Sequence, residues 1–264
     1  MKMNYLNKII KVKRKEIDSV KEKIPVTFLE KTSLYNEKRP SFFDALNVLE
    51  PSIIAEFKRK SPSKGILNRD ADLISVVKAY EKAGACAISV LTDKHFDGTA
   101  VDLSVAYETV AVPILRKDFI VDEFQIYEAR SIGASAILLI AAVLSKKEIE
   151  RFSSLAEELE LDVLLELHEK DEIPKISPKN RILGINNRNL KNFEVDITQS
   201  KELAAELSND FLKVSESGIS SVRTVQELYE NGFQAFLMGE LFMKSKHPEK
   251  AVFEFIEELN AKTD

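Results

Sequence analysis

Three features of this 264-residue sequence predict an α/β fold closed into a (β/α)8 barrel. Short apolar runs rich in Ile, Val and Leu recur about every 26 residues, the length of one strand–helix unit. Each run leads into a segment of helical period, and glycines stand where those helices hand over to the next strand. Charged and polar residues collect at the far ends of the runs, the end at which such barrels carry their sites.

The runs begin near Ile53, Ala87, Val112, Ala136, Asp162, Arg181, Phe211 and Ala235. They do not alternate strictly with polar residues, as expected of parallel strands covered on the outside by helices. Between them, Leu73–Ala83 sets Leu73, Val76, Val77 and Tyr80 on one face, and Ser145 to Glu148 form a capping box that opens another helix. Gly84, Gly133 and Gly232 each fall shortly before a strand, at helix C-terminal positions. Units of this size also build open doubly wound sheets, but the Gly-x-Gly-x-x-Gly turn usual after the first strand of that fold is missing. One barrel domain is expected, with a barrel over residues 51–260 and an extension over residues 1–50. In the extension, Tyr5, Ile9, Ile10, Val12 and Ile17 suggest an amphipathic helix, and residues 41–46 a second, shorter one. It either plugs the underside of the barrel or forms a lid over the open end.

Composition narrows the function classes. A net charge of −5 argues against a general nucleic-acid or anionic-membrane surface. The single cysteine, Cys86, leaves no disulfide framework and fits a reducing cytoplasm. His95, His168 and His247 are far apart in sequence and CxxC is absent, so no metal site is expected. The basic N-terminus lacks the apolar core of a signal peptide, and no apolar run approaches the ~20 residues of a membrane span.

The chemistry concentrates at strand ends. In the first strand, alternation puts Glu56 and Lys58 on the same side as Ile54, where opposite charges are costly unless paired or used. A loop with Ser61, Ser63, Lys64 and Gly65 follows. Later strands end in Lys117, Glu166, Asn186 with Arg188, and Ser215 with Glu216. Lysines and carboxylates in one confined mouth shift each other's pKa values and can supply both a proton donor and an acceptor. No Ser/His or Cys/His pair is placed for nucleophilic catalysis, although a lysine Schiff base is chemically open. Ser217-Gly218 after the seventh run and Gly239-Glu240 after the eighth place glycines where backbone N–H groups can approach a phosphate.

The stretch from Ala55 to Gly65, Ala-Glu-Phe-Lys-Arg-Lys-Ser-Pro-Ser-Lys-Gly, closely resembles the signature of the indole-3-glycerol phosphate synthase family. The resemblance continues through residues 89–93, 113–119, 184–190 and 215–219. It implies a (β/α)8 barrel with an extra N-terminal segment. It also implies ring closure of 1-(2-carboxyphenylamino)-1-deoxyribulose 5-phosphate with loss of carbon dioxide and then water, with no cofactor or metal. By the same likeness Lys117 matches the general acid, and Lys58 a lysine that holds the substrate carboxylate and can donate a proton in the dehydration. Glu56 and Glu166 match acid/base carboxylates, while Glu216 and Asn186 orient the substrate. Ser61, Arg188, Ser217, Gly218, Gly239 and Glu240 would hold the phosphate, and Phe96, Phe119 and Leu190 would wall the aromatic ring. Two departures stand out. Phe96-Asp97-Gly98-Thr99 replaces the more usual Phe-x-Gly-Ser, and the lid aromatic often found as Trp must be another residue, such as Tyr5. A sugar-phosphate isomerase, a Schiff-base aldolase or a non-catalytic binding barrel would share parts of this pattern. None of them explains lysines on both the first and third strands beside an aromatic-lined pocket.

Overall fold

The computed structural model describes residues 5–62, 64–189 and 194–261. Eight parallel strands form the wall: β1 (Ser52–Phe57), β2 (Ala87–Leu91), β3 (Ile114–Lys117), β4 (Ala136–Ile140), β5 (Asp162–Leu167), β6 (Ile182–Asn186), β7 (Leu212–Glu216) and β8 (Ala235–Met238). Each pairs with its neighbours in sequence, and β8 returns to β1 to close the barrel. Strand starts fall within two residues of the expected positions. The largest difference is at β3, where Val112 and Pro113 stay outside the strand because proline has no N–H for the ladder.

Alternation along each strand divides the apolar residues between two layers. On β1, Ile53, Ala55 and Phe57 pack outward under the helices, while Ile54 joins an inner cluster with Leu115, Leu138, Leu164, Val214 and Leu237. The next inward positions toward the mouth on β1, β3, β5 and β7 are Glu56, Lys117, Glu166 and Glu216. Barrels of this kind fill each interior layer with four side chains from alternate strands. Here the uppermost layer is ionic. At the opposite end of the barrel, Cys86 precedes β2; burial pushes its thiol up to about 12, and its Sγ donates to Ile53 O at 3.1 Å.

The outer helices follow their sequence signals. Leu73–Ala83 buries the four residues expected, is capped by Asp72 and ends at Gly84 with φ +98°. The Ser145 box opens helix Lys146–Glu158. One unit departs from the expected repeat: β5 and β6 are joined by a 3-10 turn, Lys170–Lys175, with Pro174 inside it, rather than by an α-helix.

The extension does both of the things weighed for it, with different pieces. Helix α1 (Tyr5–Lys21) lies over the mouth, where Leu6 and Ile9 line the pocket. Helix α2 (Val26–Leu29) contributes Leu29 to a separate cluster with Ile17 and Phe124. Helix α3 (Phe42–Leu46) plugs the underside: Phe42 and Leu46 join the inner cluster, and Phe42 and Phe43 N–H groups donate to Asp162 Oδ2 at 2.9 and 3.0 Å. The buried stripe of α1 differs from the expected one. It runs Leu6, Ile9, Lys13, Ile17, whereas Ile10 is half-buried and Val12 is exposed. Lysine 13 completes the stripe because its ammonium finds two carboxylates below it. The side chain of Tyr5, proposed as the lid aromatic, lies outside the described residues.

Candidate active site

Lys117 is the centre of the mouth. Its Nζ stands 2.7 Å from Glu216 Oε2 and 3.3 Å from Glu166 Oε2, with all three side chains nearly or wholly enclosed. Beside them Lys58 pairs with Glu56 Oε1. Burial disfavours charge on Lys117, but Glu216, Glu166 and Glu56 outweigh it and raise its pKa, so the ammonium persists at neutral pH. Burial also pulls Glu166 upward, yet Lys117 and His168 bring it to a net lowered value. Glu216 goes the other way: burial, together with repulsion from Glu166 and Glu56, pushes it up to about 8 against the attraction of Lys117. Two carboxylates sharing one lysine are thereby driven apart, one ionised and one able to carry a proton near neutrality.

Two walls flank this centre. Phe96 and Phe119 form an aromatic pair with ring centroids 6.4 Å apart. Opposite them, Ser217 and Gly218 have successive positive φ values of 68° and 73°. A Cβ on Gly218 would lie 2.2 Å from Val195 Cγ1, and one on Gly239 would lie 2.6 Å from the Glu56 carbonyl oxygen, so both loops depend on glycine. Arg188 Nη2 is 3.4 Å from Glu240 Oε2, and Lys244 holds the other oxygen at 2.5 Å. Ser61 is buried in a small hairpin, Lys60–Ser61 against Gly65–Ile66, within the loop after β1.

The residues to which the family resemblance gives catalytic, substrate or phosphate roles all line this one pocket except Leu190, which lies outside the described residues. Ser215 does not reach it; its hydroxyl accepts from Asn187 Nδ2 at 3.1 Å. In the departing loop, Thr99 caps helix Ala100–Thr109 in a capping box with Asp102, which also pairs with Arg59. Among the described residues no group of three or more His, Cys, Asp or Glu is arranged to hold a metal ion.

Sequence reasoning missed two things. The first is Gly184, an inward position of β6 where a Cβ would lie 2.1 Å from Glu216 Oε1; a glycine inside a strand was the available signal. The second is a buried clamp. Lys13 Nζ reaches Asp93 Oδ2 at 2.6 Å and Asp118 Oδ1 at 2.9 Å, tying α1 to the ends of β2 and β3. Asp118, next to Lys117, also accepts from Thr92 Oγ1 and Arg116 Nη2. Burial opposes its ionisation, but Arg116 and Lys13 hold its carboxyl at about 2. No sequence pattern links residues 13, 93 and 118.

Fold and site together are those of a (β/α)8 barrel with lysines and carboxylates gathered at its mouth. The sequence model of the family described as Indole-3-glycerol phosphate synthase matches residues 6–255. The chain is 44% identical to the Indole-3-glycerol phosphate synthase of Bacteroides thetaiotaomicron, with 96% of this chain and 98% of that protein covered. It is 40% identical to the enzyme of that name from Neisseria meningitidis serogroup B, over 94% of this chain and 98% of the relative. Among solved structures, a mutant tryptophan synthase alpha-subunit from Pyrococcus furiosus aligns with a TM-score of 0.61 at 14% identity, covering 80% of this chain and 98% of that one; this likeness is one of fold. The chain belongs to the indole-3-glycerol phosphate synthase family.

Proposed function

We propose that the mouth converts 1-(2-carboxyphenylamino)-1-deoxyribulose 5-phosphate to indole-3-glycerol phosphate. The observation that carries the reading is the position of Lys117. A single ammonium sits between two carboxylates of opposite tendency, with an aromatic pair on one side and glycine loops on the other. Lys117 protonates the ribulose carbonyl oxygen as the aromatic carbon attacks, and decarboxylation then restores aromaticity. Glu166, held ionised, positions that lysine and serves as a base; Glu216 and Asn186 orient the ribulose hydroxyls. Lys58 exchanges Glu56 for the substrate carboxylate, which leaves as carbon dioxide, and is then free to protonate the departing hydroxyl. Glu56 is the second carboxylate available to take up a proton in the dehydration.

The phosphate rests on the backbone of Ser217, Gly218 and Gly239, with Arg188 and Ser61 supplying side-chain donors. Glu240 contributes its N–H rather than its carboxylate, which is already held by Lys244 and Arg188 and would repel a phosphate. Phe96, Phe119 and Leu190 enclose the ring. No described helix is long and apolar enough to cross a membrane. With a single cysteine and a net charge of −5, we place the enzyme in the cytoplasm, acting on a small phosphorylated substrate without nucleic acid, membrane or an obligate protein partner. Incubation with the carboxyphenylamino substrate should give indole fluorescence with inorganic phosphate as a competitor. Gly218→Val should raise KM more than it lowers kcat, because the phosphate does not react. No indole product from folded enzyme would overturn the reading.

A further inference from the structure

The reaction proposed above does not balance in protons within the mouth. The substrate enters as a carboxylate. One proton goes onto the carbonyl oxygen, and a second joins the resulting hydroxyl as it leaves as water. Only one proton returns, from the ribulose methylene carbon as the indole ring forms. Carbon dioxide departs without a proton. Each turnover therefore consumes one proton from solvent, and it must reach groups that are almost wholly enclosed.

His168 lies where such a delivery would pass. Alternation along the chain beyond β5 puts it on the same side as Glu166, one step further toward the mouth. Its Nε2 is 3.3 Å from Glu166 Oε1, whose other oxygen faces Lys117 at 3.3 Å. The ring is 8% exposed, and neither nitrogen has a hydrogen-bond partner among the described residues. His168 does not line the main pocket. It lines a second, polar cavity of about 300 Å3 beside the 3-10 turn that joins β5 to β6. That space is ample for several water molecules at about 30 Å3 each. The charged groups around it are Glu169, Asp171, Glu172 and Lys175. Glu172 accepts from His168 N at 2.6 Å and fixes the turn on which the ring stands.

We infer that His168 is a relay that carries a solvent proton from the second cavity to Glu166, and through it to Lys117, between turnovers. Imidazole suits this task because it can accept a proton at one nitrogen and release another from the second. His168 touches no reacting atom, so it acts through Glu166. The inference rests on the roles given to Lys117 and Glu166 above.

A comparison of single-turnover and steady-state rates in His168→Ala and His168→Asn, both checked for fold by circular dichroism, tests it. A first turnover uses protons already in the mouth, so its rate should stay within about twofold of the parent. Steady-state kcat should fall about tenfold or more, with KM little changed. Added imidazole should restore kcat in His168→Ala saturably and leave the parent unaffected. Unchanged steady-state kcat in either folded variant would overturn the relay. So would equal slowing of the first and later turnovers without imidazole rescue, which would mark the ring as a structural prop. If instead the parent gives no indole, the function assignment fails and not the relay alone.

Discussion

Lys117 is tied to its neighbours by charge rather than by packing, so its removal should show in chemistry more than in fold. Lys117→Ala is expected to lose 10²–10⁴-fold in kcat, about 3–5 kcal/mol of transition-state stabilisation. Indole fluorescence gives the rate and circular dichroism the fold; near-normal turnover in a folded variant would remove the lysine from the mechanism. Gly184 is the more searching residue. Its backbone is not in the left-handed region, so Gly184→Ala changes space alone: the new methyl would overlap Glu216 Oε1 and push that carboxylate off Lys117. kcat should fall about tenfold or more with a smaller change in KM. A crystal structure of the variant with Glu216 still against Lys117, or a parent-like kcat, would show that the strand yields at no cost to the site.

At the scale of elements, the clamp under α1 is the joint between lid and barrel. Lys13→Met keeps the length of the side chain but leaves Asp93 and Asp118 without their shared ammonium. Breaking a buried pair in this way commonly costs about 3–5 kcal/mol. Some of that loss should fall locally on α1, raising KM as the lid loosens over Leu6 and Ile9. Hydrogen exchange across residues 5–21, set against the exchange of β4, would separate local opening from global destabilisation. Equal protection of α1 in both proteins would reject the clamp as the lid's anchor. This element also marks the limit of what sequence can reveal. The strand spacing, the cap at Ser145 and the inward charges on β1 are encoded locally, by period and residue type, and are legible. Lys13 meets Asp93 and Asp118 only once the barrel closes, so helical periodicity took the apolar Val12 for the buried face. Likewise, Pro174 stands in a stretch whose length would suit a helix, and only the folded chain shows the tight turn and the cavity beside it. The site was more legible than the lid because its residues sit at strand ends, whose direction alternation fixes.

For the whole molecule, acid stability should reflect Asp118. Its folded pKa of about 2 lies below the ordinary value of 3.8, so the stability it contributes is fully present above about pH 4. That stability is lost as the pH falls through 2. Proton linkage puts the effect at about 2 kcal/mol. Denaturant midpoints between pH 5 and pH 2 should fall less steeply in Asp118→Asn than in the parent. Identical slopes would assign the acid lability to other carboxylates.

Cys86 gives the molecule a practical property. It is the only thiol in the sequence, and at a pKa of about 12 its thiolate fraction at neutral pH is on the order of 10⁻⁵. Maleimides and thiol-directed nitroxide labels, electrophiles that the thiolate attacks, should therefore leave the native chain almost unlabelled. A cysteine placed at the exposed Val12 position would then be modified selectively in an otherwise unaltered protein. The barrel thus serves as its own blank background for spectroscopy of α1, and a spin label there would follow the lid through binding, turnover and release.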